Sequence, residues 1–514
     1  TMDEIRVRRN TLGDVFRRSA RRDPSRVAVI YHNQALTYME WNALVNRWAH
    51  GMAGYGIGPG DRVAVVGGNS LALASMAGAL AKNGAVMVPI NPSLTEEEMA
   101  YILHHAEISA VAADAGVASR VNDALGDSPV KCRVILEGSA KGGWESVQGF
   151  DSMPSTEFWG SVADDDIAQI LYTSGTESKP KGVMLTHRNV VDQCISIIFA
   201  GEFRSEDTVL HALPFFHSAQ LNAFLWPFIY VGGTHVILNR PDPVHVLQMI
   251  ETHQVRVFFA PPTVWIGILR SPSFHPDRLR SLQTAIYGAA IMPLEILQEL
   301  HEGMPWVRFY NMYGMTEVAP FATGLRPQDQ LTHPGSVGKP GINVEMTILR
   351  DDGSEAEAGE AGEIGLRTSH AFLGYFRDPE RTAEAFRGGW YHTGDIGVID
   401  AEGYLTVVDR KKDMIKTGGE NVSSREVEDV FYRHPAILEC AAIGLPDPYW
   451  MEKVVLVAVL RPGSTVTESE LIAWGREHLA GFKAPKQIVV RDHLPKNAGG
   501  KILKRTIKAE LTRA

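Results

Sequence analysis

Short apolar runs alternate with amphipathic stretches along most of the chain, with glycine-rich turns between them. Residues 62–66 read as a buried strand, Gly67-Gly68-Asn69 as a turn, and 70–83 as a helix of small residues. A second strand follows at 85–90, and strand–helix–strand is the unit of a parallel sheet. Thr95 and Glu98 have capping-box spacing before a helix whose apolar positions are Met99, Ile102 and Leu103. Such units recur to about residue 300. A strand at 168–173 runs into a Gly/Ser/Lys loop, and 236–238 and 257–260 are short apolar strands. From about 335 the pattern changes to strands, such as 345–349 and 363–367, set between acidic, glycine-rich turns. Residues 396–399 and 404–408 predict a hairpin. Ser423 and Glu426 repeat the capping-box spacing ahead of Val427, Val430 and Phe431.

At roughly 100–200 residues per domain, 514 residues make three or four units. A hydrophobic content of 45% permits a large core and excludes general disorder. The net charge of −10 argues against a nucleic-acid binder. That charge is uneven: residues 410–514 carry 18 basic and 13 acidic side chains, so a small basic C-terminal domain follows a large acidic one. Three scattered cysteines form neither a disulfide framework nor a zinc cluster, which points to a reducing, cytoplasmic setting. The uncharged stretch 64–81 is broken by Gly67, Gly68 and Asn69, so no membrane span is expected.

Four segments carry chemistry. Residues 172–182, Tyr-Thr-Ser-Gly-Thr-Glu-Ser-Lys-Pro-Lys-Gly, put hydroxyls, glycines and two lysines after a strand, a composition suited to a polyphosphate. It is not a Walker A loop, and a solvated linker is the alternative. Residues 310–317, Tyr-Asn-Met-Tyr-Gly-Met-Thr-Glu, end in a carboxylate. Beside phosphates it makes sense as a ligand to Mg²⁺; the alternative is a buried turn. Asp395 and Arg410 flank the predicted hairpin and together could hold a ribose. Lys501 follows Gly499-Gly500 on a loop that could carry it into a site.

In this order and spacing the four segments resemble the adenylate-forming superfamily: AMP-forming acyl-CoA synthetases, luciferases and peptide-synthetase adenylation domains. Phe215-Phe-His217, Pro262-Thr-Val-Trp265, Tyr287-Gly-Ala-Ala290 and Gly418-Gly-Glu-Asn421 look most like the fatty-acyl-CoA synthetases. The resemblance implies an α/β fold: a large N-terminal domain over 1–409 with a β-rich subdomain from about 335, a hinge at 410–412, and a small mobile α+β lid over 413–514. It implies ATP, Mg²⁺ and CoA, and activation of an apolar fatty, aromatic or polycyclic monocarboxylic acid to an acyl adenylate and then a thioester.

The same resemblance assigns residues. Thr173, Ser174, Gly175, Thr176, Lys179 and Lys181 lie on the ATP phosphates. Gly288, Ala289 and Ala290 line the adenine, and Asn311, Met312, Tyr313 and Gly314 continue that wall. Thr316 meets the α-phosphate and Glu317 the metal. Asp395 and Arg410 take the ribose. Lys412 is the hinge residue. Lys501 serves adenylation. Lys416, Gly418 and Gly419 belong to the face used for thioester formation, and His217, Tyr287 and Trp265 to the acyl and CoA side. Phe215, Phe216 and Trp226 would add to a wide aromatic-lined pocket, unless these aromatics are core. Partners are the acid, ATP and CoA, with a homodimer and a partner synthetase or carrier protein as further associations. An enzyme that mainly adenylates and passes the acyl group on is the alternative.

One departure stands out. Glu177-Ser178 replaces the Thr-Gly usual in the phosphate loop. With Glu177 turned to solvent, Glu177→Thr leaves the KM for ATP within about twofold of the starting value. A several-fold fall would place the carboxylate against the triphosphate, where one charge at ~4–6 Å costs about 1 kcal/mol or more at an effective dielectric near 20.

Overall fold

The computed structural model describes residues 1–173, 179–288, 292–418, 420–497 and 500–513. Thr1–Thr173, Pro180–Glu345 and Arg367–Gly389 form one compact unit; Met346–Leu366 and the chain from Trp390 onward form a second.

The first unit holds two large sheets. In the nine-stranded sheet, Val27–Tyr31, Thr234–Ile237, Thr208–His211, Val257–Phe259, Thr284–Gly288 and Arg308–Gly314 run parallel, with antiparallel strands at both edges. The eight-stranded sheet has Arg62–Val66 paired in parallel with Val86–Ile90 on one side and Ala110–Ala113 on the other. The chain therefore reverses direction across the sheet at Arg62–Val66, which places the following turn over a crevice. Both sheets are covered on their faces, which is why their central strands are apolar throughout rather than alternating.

The expected strand at 62–66 and the helix after it are present, the latter as Leu71–Asn83 with Ser70 capping Leu73 N at 3.0 Å. Every residue of that helix is buried. The turn before it joins the two sheets. Asn69 Nδ2 donates to Leu213 O at 2.7 Å, and Asn69 Oδ1 accepts from Phe215 N at 2.8 Å. Gly67 permits the approach of the neighbouring strand, since a Cβ there would lie 2.8 Å from the Asp114 carboxylate. The two expected capping boxes are half formed: Thr95 and Ser423 cap their helices, but Glu98 turns to the Thr95 hydroxyl and Glu426 to Lys483.

A buried ionic cluster fastens the N-terminal helix Leu12–Arg22. Asp14 accepts from Arg9 Nε at 2.8 Å, Arg17 Nη1 at 2.7 Å and Thr11 N at 3.0 Å, with its side chain 1% exposed. Burial alone would raise its pKa, but these bonds hold it well below the usual carboxylate range. Nearby, burial pushes Lys82 down to about 8 against the pull of Glu157, 2.6 Å away.

The second unit contains an antiparallel sheet in which Tyr391–Ile399 and Leu405–Arg410 form the expected hairpin. Beyond it a small mixed sheet carries two helices, Ser424–Tyr432 and Glu468–His478, in the α+β arrangement expected. A second buried cluster sits at the hairpin's end. Asp409 Oδ2 accepts from Ser424 N at 2.8 Å and Ser424 Oγ at 2.7 Å, while Lys504 Nζ donates to Ser424 Oγ and to Glu428 Oε1, each at 2.7 Å. Burial pushes Glu428 up to about 7 despite that lysine.

Replacing Asp14 with Asn leaves two buried guanidinium groups short of their counter-charge, and a loss of about 3–5 kcal/mol is expected. Because the native pKa is depressed, this stabilisation is present above the ordinary carboxylate pKa and is lost as pH falls toward the native value. Thermal melting of Asp14→Asn at neutral pH checks it; an unchanged midpoint would make the cluster neutral in stability.

Candidate active site

In the first unit the motif strand Arg308–Gly314 lies beside Thr284–Gly288, with Tyr287 opposite Asn311 and Gly288 opposite Met312. Two glycines make this packing possible. A Cβ on Gly288 would stand 2.4 Å from Met312 O, and one on Gly314 2.0 Å from Pro320 O. Asn311 is buried and donates to Ser336 O at 2.9 Å; Tyr287 donates to Gln330 Oε1 at 2.5 Å. Met312 and Tyr313 are partly exposed along the same strand.

The strand ends in the tight turn Thr316–Val318. Thr316 Oγ1 lies 3.0 Å from Ser218 Oγ, which brings the His217 segment onto the turn. His217 is exposed at its surface, and desolvation by the surrounding protein lowers its pKa. Glu317 Oε2 accepts from Tyr375 Oη at 3.0 Å, and Glu317 O accepts from Phe372 N at 2.7 Å. His370 Nδ1–H donates to Val318 O at 2.6 Å while Ser196 Oγ donates to His370 Nε2 at 3.1 Å, so a buried Ser–His pair braces the turn from behind.

The polyphosphate segment joins two antiparallel strands, Ile167–Thr173 and Lys181–Thr186, with Thr173 opposite Lys181. Lys181 Nζ lies over the Tyr375 ring, 4.6 Å from its centroid, and Lys179 is exposed. Ser174, Gly175, Thr176, Glu177 and Ser178 lie outside the described residues, as do Ala289, Ala290 and Gly419.

In the second unit Asp395 and Arg410 face each other across the hairpin, and Arg410 Nη1 donates to Asp395 Oδ1 at 2.7 Å. Glu363 supports the approach, taking Gly394 N at 3.1 Å and His392 at 2.8 Å. Lys501 is held by a closed loop in which its own N donates to Asn497 Oδ1 at 2.9 Å. Desolvation lowers its pKa, Arg410 and Lys412 lower it further, and Asp413 and Asp395 oppose them. Lys412 and Lys416 are exposed; Lys416 N donates to Glu452 Oε2 at 2.9 Å. Gly418, at φ +56°, donates to Trp450 O at 2.7 Å with the indole against its Cα.

The aromatics named for a wide pocket fit the alternative that they are core. Trp265 is fully buried, donates to Ile286 O at 3.2 Å and packs edge-on against Phe258 and Phe309. Phe215, Trp226 and Tyr287 are buried too, leaving Phe216 alone of the five partly exposed. Gln220 and Asn222, the polar residues of the apolar stretch after His217, are equally occupied: Gln220 with His211 at 2.6 Å, Asn222 in a reciprocal pair with Gln169. Ser218, Tyr375 and His370 support the Thr316–Val318 turn in the first unit and Glu363 supports the hairpin in the second, and none of them lies in the motifs singled out from the sequence. Each acts through a contact across the fold, and spacing does not encode that.

The AMP-binding enzyme family model matches residues 16–376, and that of the AMP-binding enzyme C-terminal domain residues 426–501. A feruloyl-CoA synthase of Amycolatopsis sp is 36% identical, over 98% of this chain and 99% of that one. ATP-bound MatB from Rhodopseudomonas palustris superposes with a TM-score of 0.89 at 28% identity, covering 97% of this chain and 99% of the other. The o-succinylbenzoate CoA synthetase MenE of Bacillus subtilis, with its acyl-adenylate intermediate OSB-AMP, gives 0.87 at 29%, covering 96% and 97%.

The lowered pKa predicts that Lys501 reacts faster with an amine-acylating reagent at mildly alkaline pH than Lys141, which is exposed as Lys501 is, and that Arg410→Gln slows it by removing a neighbouring charge. Equal rates at the two lysines, read by peptide mass spectrometry, would contradict the depressed pKa. The chain belongs to the family of AMP-binding enzymes, among its adenylate-forming acyl-CoA synthetases.

Proposed function

We propose that the protein activates an apolar monocarboxylic acid with ATP and transfers the acyl group to CoA, the residues acting in the roles given below. The observation that carries this reading is the gathering of Lys501 with Asp395 and Arg410, groups far apart in sequence that suit a ribose and its adjoining phosphate. Lys179 and Lys181 suit the β- and γ-phosphates, and the large unit offers Thr316 to the α-phosphate and Gly288, Asn311, Met312, Tyr313 and Gly314 to the adenine. Among the described residues no cluster of three or more His, Cys, Asp or Glu is poised for a metal. A lone Glu317 fits a Mg²⁺ that arrives on ATP and keeps phosphate and water ligands. When bound, that ion neutralises phosphate charge.

The substrate carboxylate attacks the α-phosphorus, the P–O bond to pyrophosphate breaks, and an acyl adenylate forms. The Lys501 ammonium and Thr316 hydroxyl stabilise charge building on the α-phosphate oxygens. The CoA thiol, giving its proton to solvent, then attacks the acyl carbon and AMP departs. His217 borders the acyl and thiol side. Lys412 acts as the hinge about which the lid exchanges the Lys501 face for the Lys416 and Gly418 face. A cytoplasmic setting suits Cys132, Cys194 and Cys440, which are free and buried. Among the described residues no helix is long and apolar enough to cross a membrane. A separate carrier protein as acceptor is not favoured, because the feruloyl-CoA synthase and the o-succinylbenzoate CoA synthetase named above are CoA enzymes.

The test is ATP–pyrophosphate exchange across a panel of aromatic and fatty acids with ferulate included, repeated as AMP release with CoA. Exchange with no acid, or no CoA-dependent AMP release with any acid that supports exchange, would overturn the reading. Lys501→Ala is expected to lose adenylation far more than thioester formation from a presynthesised acyl adenylate. Equal loss from both starting points would remove Lys501 from the first step.

A further inference from the structure

Tyr375 lies in none of the motifs, yet it touches two of the residues proposed to meet Mg²⁺·ATP. Its hydroxyl donates to Glu317 Oε2 at 3.0 Å, and its ring carries Lys181 Nζ on one face at 4.6 Å. The ring is 6% exposed and its position is fixed from several directions. Tyr375 pairs with Val183, two residues beyond Lys181, on the strand that leaves the phosphate loop. Its N–H donates to Thr382 Oγ1 at 2.9 Å. Phe372 packs edge-on against it, with centroids 4.8 Å apart, and Phe372 N holds the Glu317 carbonyl at 2.7 Å. The next residue, Phe376, donates to Gly182 O at 2.7 Å. Residues 370–376 thus form a strap bonded on one side to the strand that carries Lys181 and on the other to the turn that carries Glu317.

We propose that Tyr375 is a positioning residue that keeps the phosphate-binding cation and the metal-binding carboxylate in one site without letting them neutralise each other. A lysine and a glutamate this close to a common group attract strongly where water is scarce. Paired directly, they would have to separate before a polyphosphate could take the lysine and a metal the carboxylate. The phenol gives each a weaker, uncharged partner: a π-face for the ammonium and an O–H for the carboxylate. The hydroxyl also fixes the orientation of Glu317 before the nucleotide arrives.

The inference rests on the proposed roles of Glu317 and Lys181, and the experiment separates the two levels. Mn²⁺ affinity is measured by electron paramagnetic resonance in the presence of an ATP analogue with a methylene bridge between the α- and β-phosphorus. Binding of the analogue without metal is measured by calorimetry. Tyr375→Phe removes the hydroxyl alone and is expected to weaken Mn²⁺ about tenfold while sparing metal-free analogue binding. Tyr375→Leu removes the ring as well and is expected to weaken both, since Lys181 can then turn to Glu317. Glu317→Gln weakens Mn²⁺, and adding Tyr375→Phe to it has no further effect, because the hydroxyl acts through the carboxylate. Mn²⁺ affinity unchanged in Glu317→Gln would overturn the metal role itself. A weakened Glu317→Gln alongside wild-type binding in both tyrosine variants, or fully additive losses in the double variant, would overturn the role of Tyr375.

Discussion

A site for a metal-bound polyphosphate must hold opposite charges close together without letting them cancel. At 4 Å and an effective dielectric near 20, a lysine and a carboxylate attract by about 4 kcal/mol, a large sum beside the affinity a nucleotide needs. In the large unit the separation is built from backbone. Strand pairing sets Tyr375 beside the strand of Lys181, the Phe372 N–H bond to Glu317 O ties that segment to the Thr316–Val318 turn, and glycines at 288 and 314 let strands approach where a Cβ would collide. In the second unit the same difficulty is met by pairing. Arg410 is held to Asp395, and the charges of both act on Lys501, whose pKa is lowered by desolvation and by the neighbouring cations.

Much of this lies at a distance from the reactive groups. Asn69 ties the two sheets at the turn where the strand order reverses, and so holds the segment after His211 against the rest of the unit. The chain from Phe215 through Ser218 then meets Thr316. In the second unit Asp409, Ser424, Glu428 and Lys504 connect the end of the hairpin to two helices, one of which follows directly on the Lys501 loop. Lys504 is three residues from Lys501. The buried ion pair therefore anchors the loop that would otherwise carry Lys501 freely.

Local signals in the sequence were reliable where they depend on neighbours in the chain. The strand 62–66, the helix start at Ser70 and the hairpin around Asp400 are all present because period, capping and turn chemistry act within a few residues. The Asp395–Arg410 pair was legible for the same reason, since a hairpin places its flanks opposite each other. The acyl pocket was not. An aromatic residue reads alike whether it lines a cavity or fills a core, and Trp265, Trp226 and Phe215 fill the core. Tyr375 was invisible because its two contacts are made by strands that the fold, not the sequence, brings together. The phosphate loop's unusual Glu177-Ser178 lies outside the described residues.

A crystal of the protein with Mn²⁺ and the methylene-bridged ATP analogue, with the metal located by anomalous scattering, tests the charge arrangement directly. The expected result is a metal bonded to a Glu317 oxygen at about 2.1 Å, Tyr375 still donating to the same carboxylate, and Lys181 on a phosphate oxygen. A metal bound by phosphate and water alone, or Lys181 paired with Glu317 beside the bound nucleotide, would contradict it.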